Sequence, residues 1–308
     1  MSRQLVSSGA KWENKVGYSR AVRVGRQIFV SGTTAVNTKG RVVGEGDIRI
    51  QARRIFEIAA AALTEAGSCL EDVVRTRMFV TDIAAAAALG RAHAEVFGQI
   101  RPAATLVEVS RLIDPALLVE IEADAIAGSG GADAVILAGG KSKRMGRDKS
   151  RIRLGRRTLL GHARAAVAHA GLKPRVVATD LQPGLGPLGG IATALRSAKH
   201  SRVLFLGCDM PFMTGELIKE FLSAATDGIG PIFTRHKKGV GFPFVLRRSD
   251  LVLVGKQMDC GALSLQRLAK RLKAREWQPP ASQVSELFNI NTPAELAEAK
   301  RRLKVVGC

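Results

Sequence analysis

Cysteine is scarce in this chain of 308 residues, which contains four. Cys69, Cys208, Cys260 and Cys308 are scattered and include no CxxC pair. The sequence therefore suggests neither a zinc site nor a disulfide framework, and we expect four free thiols.

Long apolar runs are also missing. No stretch approaches the roughly 18 apolar residues that a membrane span needs, and the opening MSRQLVSSGAKWENK lacks the apolar centre of a signal peptide. These absences predict a cytoplasmic protein without a membrane segment. The composition, 46% hydrophobic and 24% charged, is typical of globular proteins, and the length favours two domains.

Aromatic residues make up only 5% of the chain, although its net charge of +20 would attract nucleic acid. Residues 1–128 carry 16 Lys+Arg and 14 Asp+Glu, a net +2, whereas the remainder carries 31 and 13, a net +18. The positive charge of the second part of the chain creates a field that attracts polyanions. A non-enzymatic nucleic-acid-binding protein is the less favoured alternative, because few aromatics are present for base stacking and no recognition helix or zinc finger is found.

A domain boundary is predicted near residue 130. Alternating residues in LVEIEADAIA, 118–127, predict a strand, GSGGAD forms a flexible polar break, and AVILAGG begins a buried strand. We therefore expect two domains, residues 1–129 and 130–308.

The first domain has the pattern of an α+β fold. AVRVGRQIFVSGTT predicts two strands around a glycine turn, and VVRTRMFV a third. IAAAAALGRAHAEVFGQI is helical, and two further strands flank the turn at Asp114 and Pro115. Another helix is predicted over residues 48–66 from apolar residues at helical spacing, namely Ile50, Ile55, Ile58 and Leu63. One sheet with two helices on one face would bury this pattern.

Over about residues 16–127 the first domain resembles the Rid family of reactive-intermediate (imine) deaminases, also called YjgF-like or RidA proteins. The resemblance is carried by GYSRAV, FVSGTTAV, RMFVTDI, RPAATLVEVSRL and VEIEADAIA. It implies a chorismate-mutase-like fold and a homotrimer with ligand clefts between subunits. Tyr18, Ser31 and Glu120 are the positions that it implies in the cleft.

One position departs from the pattern of active members, which read Pro-Ala-Arg where this chain has Pro102–Ala104. In those members the arginine binds the carboxylate of a 2-imino acid, and Ala104 cannot. We favour a non-deaminating domain that binds another small ligand and supports trimer assembly. The alternative is a retained hydrolase in which Glu120 positions a water. Three arginines are candidates to replace the missing one: Arg77, Arg101 and Arg111.

The second domain begins with a buried strand, AVILAGG, that runs into the cationic loop KSKRMGRDK. Glycines allow backbone N–H groups to turn toward an anion, and Arg144 and Lys149 supply charge for a triphosphate. The loop is no P-loop, because Val135 stands where its first glycine is required. GLGPLG formally satisfies GxGxxG, but Asp180-Leu-Gln-Pro separates it from the preceding strand, which disfavours a dinucleotide site.

A carboxylate follows the next apolar strand, in RVLFLGCDMPF. Loops after parallel strands converge at one edge of a sheet, so Gly139, Asp180 and Asp209 can surround one ligand. Mg²⁺ prefers one or two carboxylates together with phosphate oxygens, a role that suits Asp209.

Near the end of the chain, NINTPAELAEAKRRL contains a capping box in which Thr292 is the N-cap and Glu295 lies three residues later. The box fixes the start of a helix. It also holds Asn289 and Asn291 in a defined loop where their amides can contact a polar ligand.

Over about residues 132–303 the chain closely resembles the MobA family of molybdenum cofactor guanylyltransferases, through LAGGKSKRMGRDK, DLQPGLGPLGG, FLGCDMPF and NINTP in that order. The resemblance implies an α/β Rossmann-like fold with a mostly parallel sheet. It also implies Mg²⁺-dependent transfer of GMP from GTP to the phosphate of molybdopterin, with release of pyrophosphate. LAGG is the form associated with guanine-using members. A nucleotidyltransferase for another phosphorylated acceptor is the alternative.

The resemblance also implies roles for individual residues. GTP would bind to Leu137, Ala138, Gly139, Gly140, Lys149, Asp180 and Asp209. Arg144, Lys149 and Asp209 would be catalytic, with Mg²⁺ on Asp209, and Asn289 and Asn291 would face the acceptor. The chain departs from the family between Leu160 and Asp180, where it has room for one helix and one strand rather than two of each.

Overall fold

The computed structural model describes residues 3–139, 148–178 and 185–306, which form two compact units. Unit 1 comprises Met1–Gly131 and Thr226–Ile229, and unit 2 comprises Ala132–Ala225 and Gly230–Cys308. None of the described helices is both long enough and apolar enough to cross a membrane. Cys69, Cys208 and Cys260 are not in disulfides, and Cys308 lies outside the described residues.

Unit 1 contains a six-stranded sheet and three α-helices. The strands are β1 (Arg3–Val6), β2 (Ala21–Val24), β3 (Gln27–Thr34), β4 (Val73–Val80), β5 (Ala103–Glu108) and β6 (Val119–Ile126). The helices are α1 (Lys11–Val16), α2 (Ile48–Glu65) and α3 (Ala86–Phe97). The sheet order is β1-β2-β3-β6-β4-β5. The two strands that flank Asp114 and Pro115 do not pair, because β6 lies between β3 and β4 while β5 runs parallel to β4.

Helices α2 and α3 bury their apolar sides against this sheet, which confirms the predicted α+β fold. Asp47 caps α2 by accepting hydrogen bonds from two N–H groups of its first turn. Ile55 and Leu63 lie in the core as predicted, together with Phe56. The prediction that Ile50 lies on the same apolar side is wrong, because Ile50 is 45% exposed. Ile50 precedes Ile55 by five residues, and in a helix with 3.6 residues per turn this spacing places the two side chains on different sides.

Unit 2 is built on a second six-stranded sheet. Its strands are β7 (Asp133–Leu137), β10 (Pro174–Val177), β11 (Arg202–Gly207), β12 (Ile232–His236), β13 (Gly239–Arg247) and β14 (Arg275–Trp277), and β8 (Arg153–Leu154) with β9 (Arg157–Thr158) forms a separate hairpin. The helices are α4 (Leu159–His169), α5 (Gly186–Arg196), α6 (Gly215–Thr226), α7 (Leu251–Asp259), α8 (Leu265–Arg271) and α9 (Pro293–Val306).

The sheet of unit 2 has the order β10-β7-β11-β13-β12-β14. β10, β7 and β11 are parallel, β13 is antiparallel to β11 and to β12, and β14 is parallel to β12. The sheet is therefore mixed, and its parallel half carries the strand that precedes the glycine loop. The single helix and strand predicted between Leu160 and Asp180 are α4 and β10.

Helices cover both faces of this sheet, as in Rossmann-like α/β folds. Val135 and Phe205 pack in one apolar cluster with α5, α7 and α8, whereas Ile136 and Leu204 pack in another with α4 and α6. Strands that are buried on both faces are apolar at successive positions. This explains why β7 and β11 show continuous apolar runs rather than alternation.

A third apolar cluster joins the β8–β9 hairpin to α9. It contains Ile152, Leu154, Leu159, Ile290, Leu296 and Ala299. The capping box at the start of α9 is confirmed: Glu295 N–H donates to Thr292 Oγ1 (3.2 Å), and Thr292 N–H donates to Glu295 Oε2 (2.8 Å). The cluster and the cap together fix the loop that precedes α9.

We expect Thr292→Ala to lower the free energy of unfolding by about 1 kcal/mol, because the side-chain acceptor for the Glu295 N–H is lost. Urea denaturation followed by circular dichroism measures the change. Thr292→Ser keeps the hydroxyl and is the matched control, so equal losses in both variants would contradict the cap's contribution.

Candidate active site

Three parallel strands of unit 2 end side by side. Ala138 N–H donates to Val177 O (3.0 Å), and Cys208 N–H donates to Leu137 O (3.3 Å). The residues that follow β7, β10 and β11 therefore meet at one edge of the sheet. Gly139 is required there, because a Cβ at this position would lie 2.9 Å from Ala178 O.

Lys149 brings a cation to this edge. It begins a short 3₁₀ helix, residues 149–151, which Asp148 caps by accepting the Ser150 N–H (2.9 Å). The Lys149 ammonium donates to Asn291 Oδ1 (2.6 Å) and to Asp209 Oδ2 (3.3 Å). Three side chains that are distant in sequence, each singled out from the sequence, therefore converge in one cluster.

Asp209 is the acidic member of this cluster. Burial raises the pKa of its carboxyl above the ordinary value, and Lys149 opposes the shift. Gly207 leaves room for this carboxylate, because a Cβ there would lie 2.6 Å from Asp209 Oδ1. Ile290 N–H donates to Asp209 O (2.9 Å) and attaches the loop before α9 to the end of β11. A buried carboxylate of this kind favours a cation beside it.

Glu295 has a second role that the capping pattern did not indicate. Its Oε2 also accepts the Asn291 N–H (2.6 Å), which fixes the residue whose amide binds Lys149. Burial raises the pKa of Glu295, but hydrogen bonds from Asn291 and Thr292 outweigh this effect and leave the pKa below its ordinary value. Glu295 therefore stays ionised and adds negative charge near Lys149.

The donor set fits a divalent cation that arrives with a triphosphate. Among the residues that the structure describes, no group of three or more His, Cys, Asp or Glu side chains is arranged to hold a metal ion. Asp209 is a single carboxylate, and Mg²⁺ commonly binds one or two carboxylates and completes its shell with phosphate oxygens and water.

The structure describes four of the other residues expected at this site. Leu137, Ala138 and Gly139 lie at the edge beside Asp209, and Asn289 is exposed in the loop that carries Asn291. Three predicted site residues, Gly140, Arg144 and Asp180, lie outside the described residues.

Unit 1 contains a separate polar cluster around a register shift between β3 and β6, at Val30–Thr33. The Glu120 carboxylate packs directly against Gly32, where a Cβ would clash with it. Arg20 donates to Tyr18 Oη (3.0 Å), and Ser31 N–H donates to Arg20 O (3.1 Å). The three residues expected in the cleft, Tyr18, Ser31 and Glu120, therefore surround Arg20.

Arg20 is the residue of this cluster that sequence reasoning did not single out, although it stands inside GYSRAV. It is 8% exposed, and it also donates to Thr33 Oγ1 (2.9 Å). Burial raises the pKa of Glu120, Glu122 adds to the rise, and Arg20 opposes it. The sequence alone does not indicate that this arginine turns inward, because a single polar residue at the start of a strand carries no periodicity.

Among the arginines considered as replacements for the missing one, Arg77 is already paired. It donates to Glu122 Oε2 (3.2 Å) and to Asp124 Oδ2 (3.0 Å) on the neighbouring strand. Ala104 lies on β5, at an exposed position of the sheet edge.

Comparisons with known proteins divide the chain in the same way. Residues 10–127 match the family described as Endoribonuclease L-PSP, and residues 134–275 match the family described as MobA-like NTP transferase domain. A RutC family protein of Pyrococcus abyssi is 39% identical over 106 residues, 34% of this chain and 83% of the relative. A molybdenum cofactor guanylyltransferase of Xanthomonas euvesicatoria is 30% identical over 178 residues, 52% of this chain and 90% of the relative.

Among solved structures, a member of the YjgF/YER057c/UK114 family from Mycobacterium tuberculosis is 50% identical. The match covers 41% of this chain and 99% of that one, with a TM-score of 0.38. On the family matches and the relatives above, the chain belongs to the RutC family through its first domain and to the MobA-like NTP transferases through its second, and it is a nucleotidyltransferase.

Proposed function

We propose that the second domain transfers GMP from GTP to the phosphate of molybdopterin in a Mg²⁺-dependent reaction that releases pyrophosphate. The observation that carries this proposal is the contact of Lys149 with Asp209 and Asn291 at the end of the parallel strands. The relatives named molybdenum cofactor guanylyltransferase support this choice of donor and acceptor. The LAGG segment that precedes Lys149 supports guanine as the base.

The donor's triphosphate lies at the carboxyl edge of the sheet in this proposal. The backbone at Leu137–Gly139 contacts the nucleotide, and the absent side chain of Gly139 lets the phosphates approach the backbone. Lys149 turns from Asn291 to the phosphates. Arg144 is the second cation that contacts the phosphates, and Asp180 binds the nucleoside part of GTP. When bound through Asp209, Mg²⁺ supplies positive charge to the oxygens of the reacting phosphate.

The acceptor enters from the side of Asn289 and Asn291. An oxygen of its phosphate forms a bond to the α-phosphorus, while the bond from that phosphorus to the bridging oxygen breaks and its electron pair leaves with pyrophosphate. The attacking oxygen is already anionic, so no protein nucleophile and no general base are required. Lys149 stabilises the charge that develops on the leaving group, and the low exposure of Lys149 and Asp209, 15% and 19%, strengthens this interaction.

A nucleotide panel is the main test. Purified full-length chain is incubated with molybdopterin and GTP, CTP, ATP or UTP, with and without Mg²⁺, and pyrophosphate is measured. GTP with Mg²⁺ should give the fastest release.

In the same assay we expect Asp209→Asn to lower the rate of transfer from GTP at least about 100-fold, because the carboxylate charge that holds Mg²⁺ is lost. Asp259→Asn, at the end of α7, is the charge-matched control. An equal preference for CTP, or wild-type transfer by Asp209→Asn, would refute the assignment.

Lys149→Met should weaken GTP binding about tenfold or more, because a charge-assisted contact to the phosphates is lost. Binding of a fluorescent GTP analogue in Mg²⁺ measures the dissociation constant. Lys149→Arg retains the charge and should recover part of the affinity. Unchanged binding in Lys149→Met would place the triphosphate elsewhere.

For the first domain we propose a trimer-forming, ligand-binding module that lacks imine deaminase activity. Ala104 supplies no cation, and Arg77 is paired with Glu122 and Asp124. The exposed side chains of edge strand β5 support assembly through this edge. A small ligand bound beside Tyr18, Ser31 and Glu120 would contact the polar cluster around Arg20.

The full-length chain should therefore not accelerate ammonia release from 2-aminoacrylate above the spontaneous rate. A coupled ammonia assay measures this release. Glu120→Gln removes the acid expected to position water while keeping its size, and it should give the same rate as the wild type. Clear turnover that Glu120→Gln abolishes would overturn the proposal.

A further inference from the structure

The β12–β13 hairpin of unit 2 brings an aromatic ring to the sheet edge where Asp209 lies. Strand β13 runs antiparallel to β11, and the pair Phe205–Phe244 is the last that the two strands form toward this edge. In the same register, Phe242 lies opposite Gly207. The contacts agree with this position, because a Cβ on Gly207 would lie 3.3 Å from Phe242 Cδ2.

Phe242 is also close to the carboxylate that is proposed to hold Mg²⁺. The same Cβ on Gly207 would lie 2.6 Å from Asp209 Oδ1. Since these two distances, 2.6 and 3.3 Å, are measured from one point, the Phe242 ring is at most about 6 Å from the Asp209 carboxylate. A molecule that contacts this ring can therefore also reach a metal ion or a phosphate held by Asp209.

The order of the strands separates Phe242 from the residues proposed for the donor. In the order β10-β7-β11-β13, Leu137 and Gly139 lie at the end of β7 on one side of β11, whereas Phe242 on β13 lies on the other side. Neighbouring strands are about 4.8 Å apart, so Asp209, which follows β11, stands between them. The Ile290 N–H bond to Asp209 O brings the loop before α9 to the same carboxylate. Phe242 therefore borders the reacting centre on the side away from the donor.

The ring of Phe242 is held in place by the fold. It stacks on Phe244 with ring centroids 5.1 Å apart and planes at 29°, and Phe244 in turn stacks on Phe205 and Phe233 in the core. The backbone is fixed as well, because His236 Nε2 donates to Phe242 O (2.7 Å). A side chain that is already ordered loses little conformational freedom when a ligand binds to it.

Part of this ring remains exposed. The register between β12 and β13 passes directly from Phe244 to Gly241, so Phe242 and Pro243 bulge out of the ladder. Such bulges commonly redirect a side chain at the edge of a sheet. Phe242 packs against the apolar clusters on both faces of the sheet, yet it is only half-buried. Because Phe244 covers the ring face that is turned toward the core, the opposite face is turned toward the carboxyl edge.

We propose that Phe242 determines acceptor specificity by stacking the flat heterocycle of the acceptor on its exposed face, while the acceptor's phosphate meets the donor beside Asp209. The inference rests on the proposed function and concerns the part of the acceptor that does not react. Aromatic side chains bind flat heterocycles by stacking. In molybdopterin only a few bonds separate the ring system from the phosphate, which suits the short distance between Phe242 and Asp209.

The test is Phe242→Leu in the full-length chain, with Phe242→Tyr as the conservative variant. Leucine keeps an apolar side chain in the stack but removes the aromatic face, so the KM for molybdopterin should rise about tenfold. Phe242→Tyr keeps the face and should stay within about twofold of the wild-type KM. The affinity of both variants for GTP should also stay within about twofold of the wild type, because the residues proposed for the donor are untouched.

Phe233→Leu is the matched control. Phe233 is fully buried and stacks on Phe244 at 4.6 Å, so this variant loosens the same stack away from the edge. Thermal unfolding followed by circular dichroism shows that each variant is folded. The inference is overturned by an unchanged KM in Phe242→Leu, by an equal rise in Phe233→Leu or in Phe242→Tyr, or by a loss of GTP affinity in Phe242→Leu, which would place the donor's base on the ring.

If the wild type transfers nothing to molybdopterin with any nucleotide, the proposed function fails instead. The role of Phe242 is then decided by binding of free pterin, which is fluorescent, measured by fluorescence polarisation. Phe242→Leu must weaken this binding, and Phe242→Tyr and Phe233→Leu must not. If Phe242→Leu does not fold, proton NMR of pterin with the wild type decides, because stacking shifts the ring protons upfield. Absence of wild-type binding, or of that shift, overturns the inference.

Discussion

The contact between Lys149 and Asp209 is the constraint on which the second domain depends. Both groups are largely withdrawn from water, and a buried charge without a partner is strongly unfavourable. Burial raises the pKa of Asp209, so its ionised form depends on a neighbouring cation. Any arrangement of the surrounding chain that separated the pair would leave an isolated charge.

The fold meets this constraint by bringing together segments that are distant in sequence. Asp209 follows β11, and Lys149 begins a short helix 60 residues earlier in the chain. Asn291 lies 142 residues after Lys149, and Glu295 and Ile290 hold its loop in place. In the proposed function a nucleotide's phosphates replace Asn291 as partners of Lys149, so the same cluster would serve binding as well as stability.

Much of this arrangement follows from the sequence, for identifiable reasons. Apolar runs that end in a glycine or an aspartate predict parallel strands, and parallel strands end at one edge of a sheet, so the sequence predicts that Gly139 and Asp209 lie close together. The capping box predicts the start of α9 because it is a local interaction. Ile50 shows the limit of such reasoning, since counting apolar residues at helical spacing placed it on the buried side of α2.

Long-range contacts could not be predicted in the same way. The sequence shows that Thr292 and Glu295 form a cap, but not that Glu295 also fixes Asn291 against Lys149. The insertion of β6 between β3 and β4 is equally non-local, because the turn at Asp114 and Pro115 is compatible with a simple hairpin. The inward orientation of Arg20 depends on Thr33 and Tyr18, which periodicity does not connect to it.

Arg20 also bears on why the first domain is proposed to lack deaminase activity. A cation that replaces the arginine of active members must offer free donors to a carboxylate. In Arg20, one terminal nitrogen donates to Gly32 O and Thr33 Oγ1 and the other donates to Tyr18 Oη, whereas Nε has no hydrogen-bond partner among the described residues and lies 3.9 Å from Glu13 Oε1. Most of the donors of this guanidinium are thus already engaged, in a side chain that is 9% exposed. These contacts suit Arg20 to shaping the cluster around Tyr18 and Glu120 rather than to holding a ligand carboxylate in the way that the arginine of active members does.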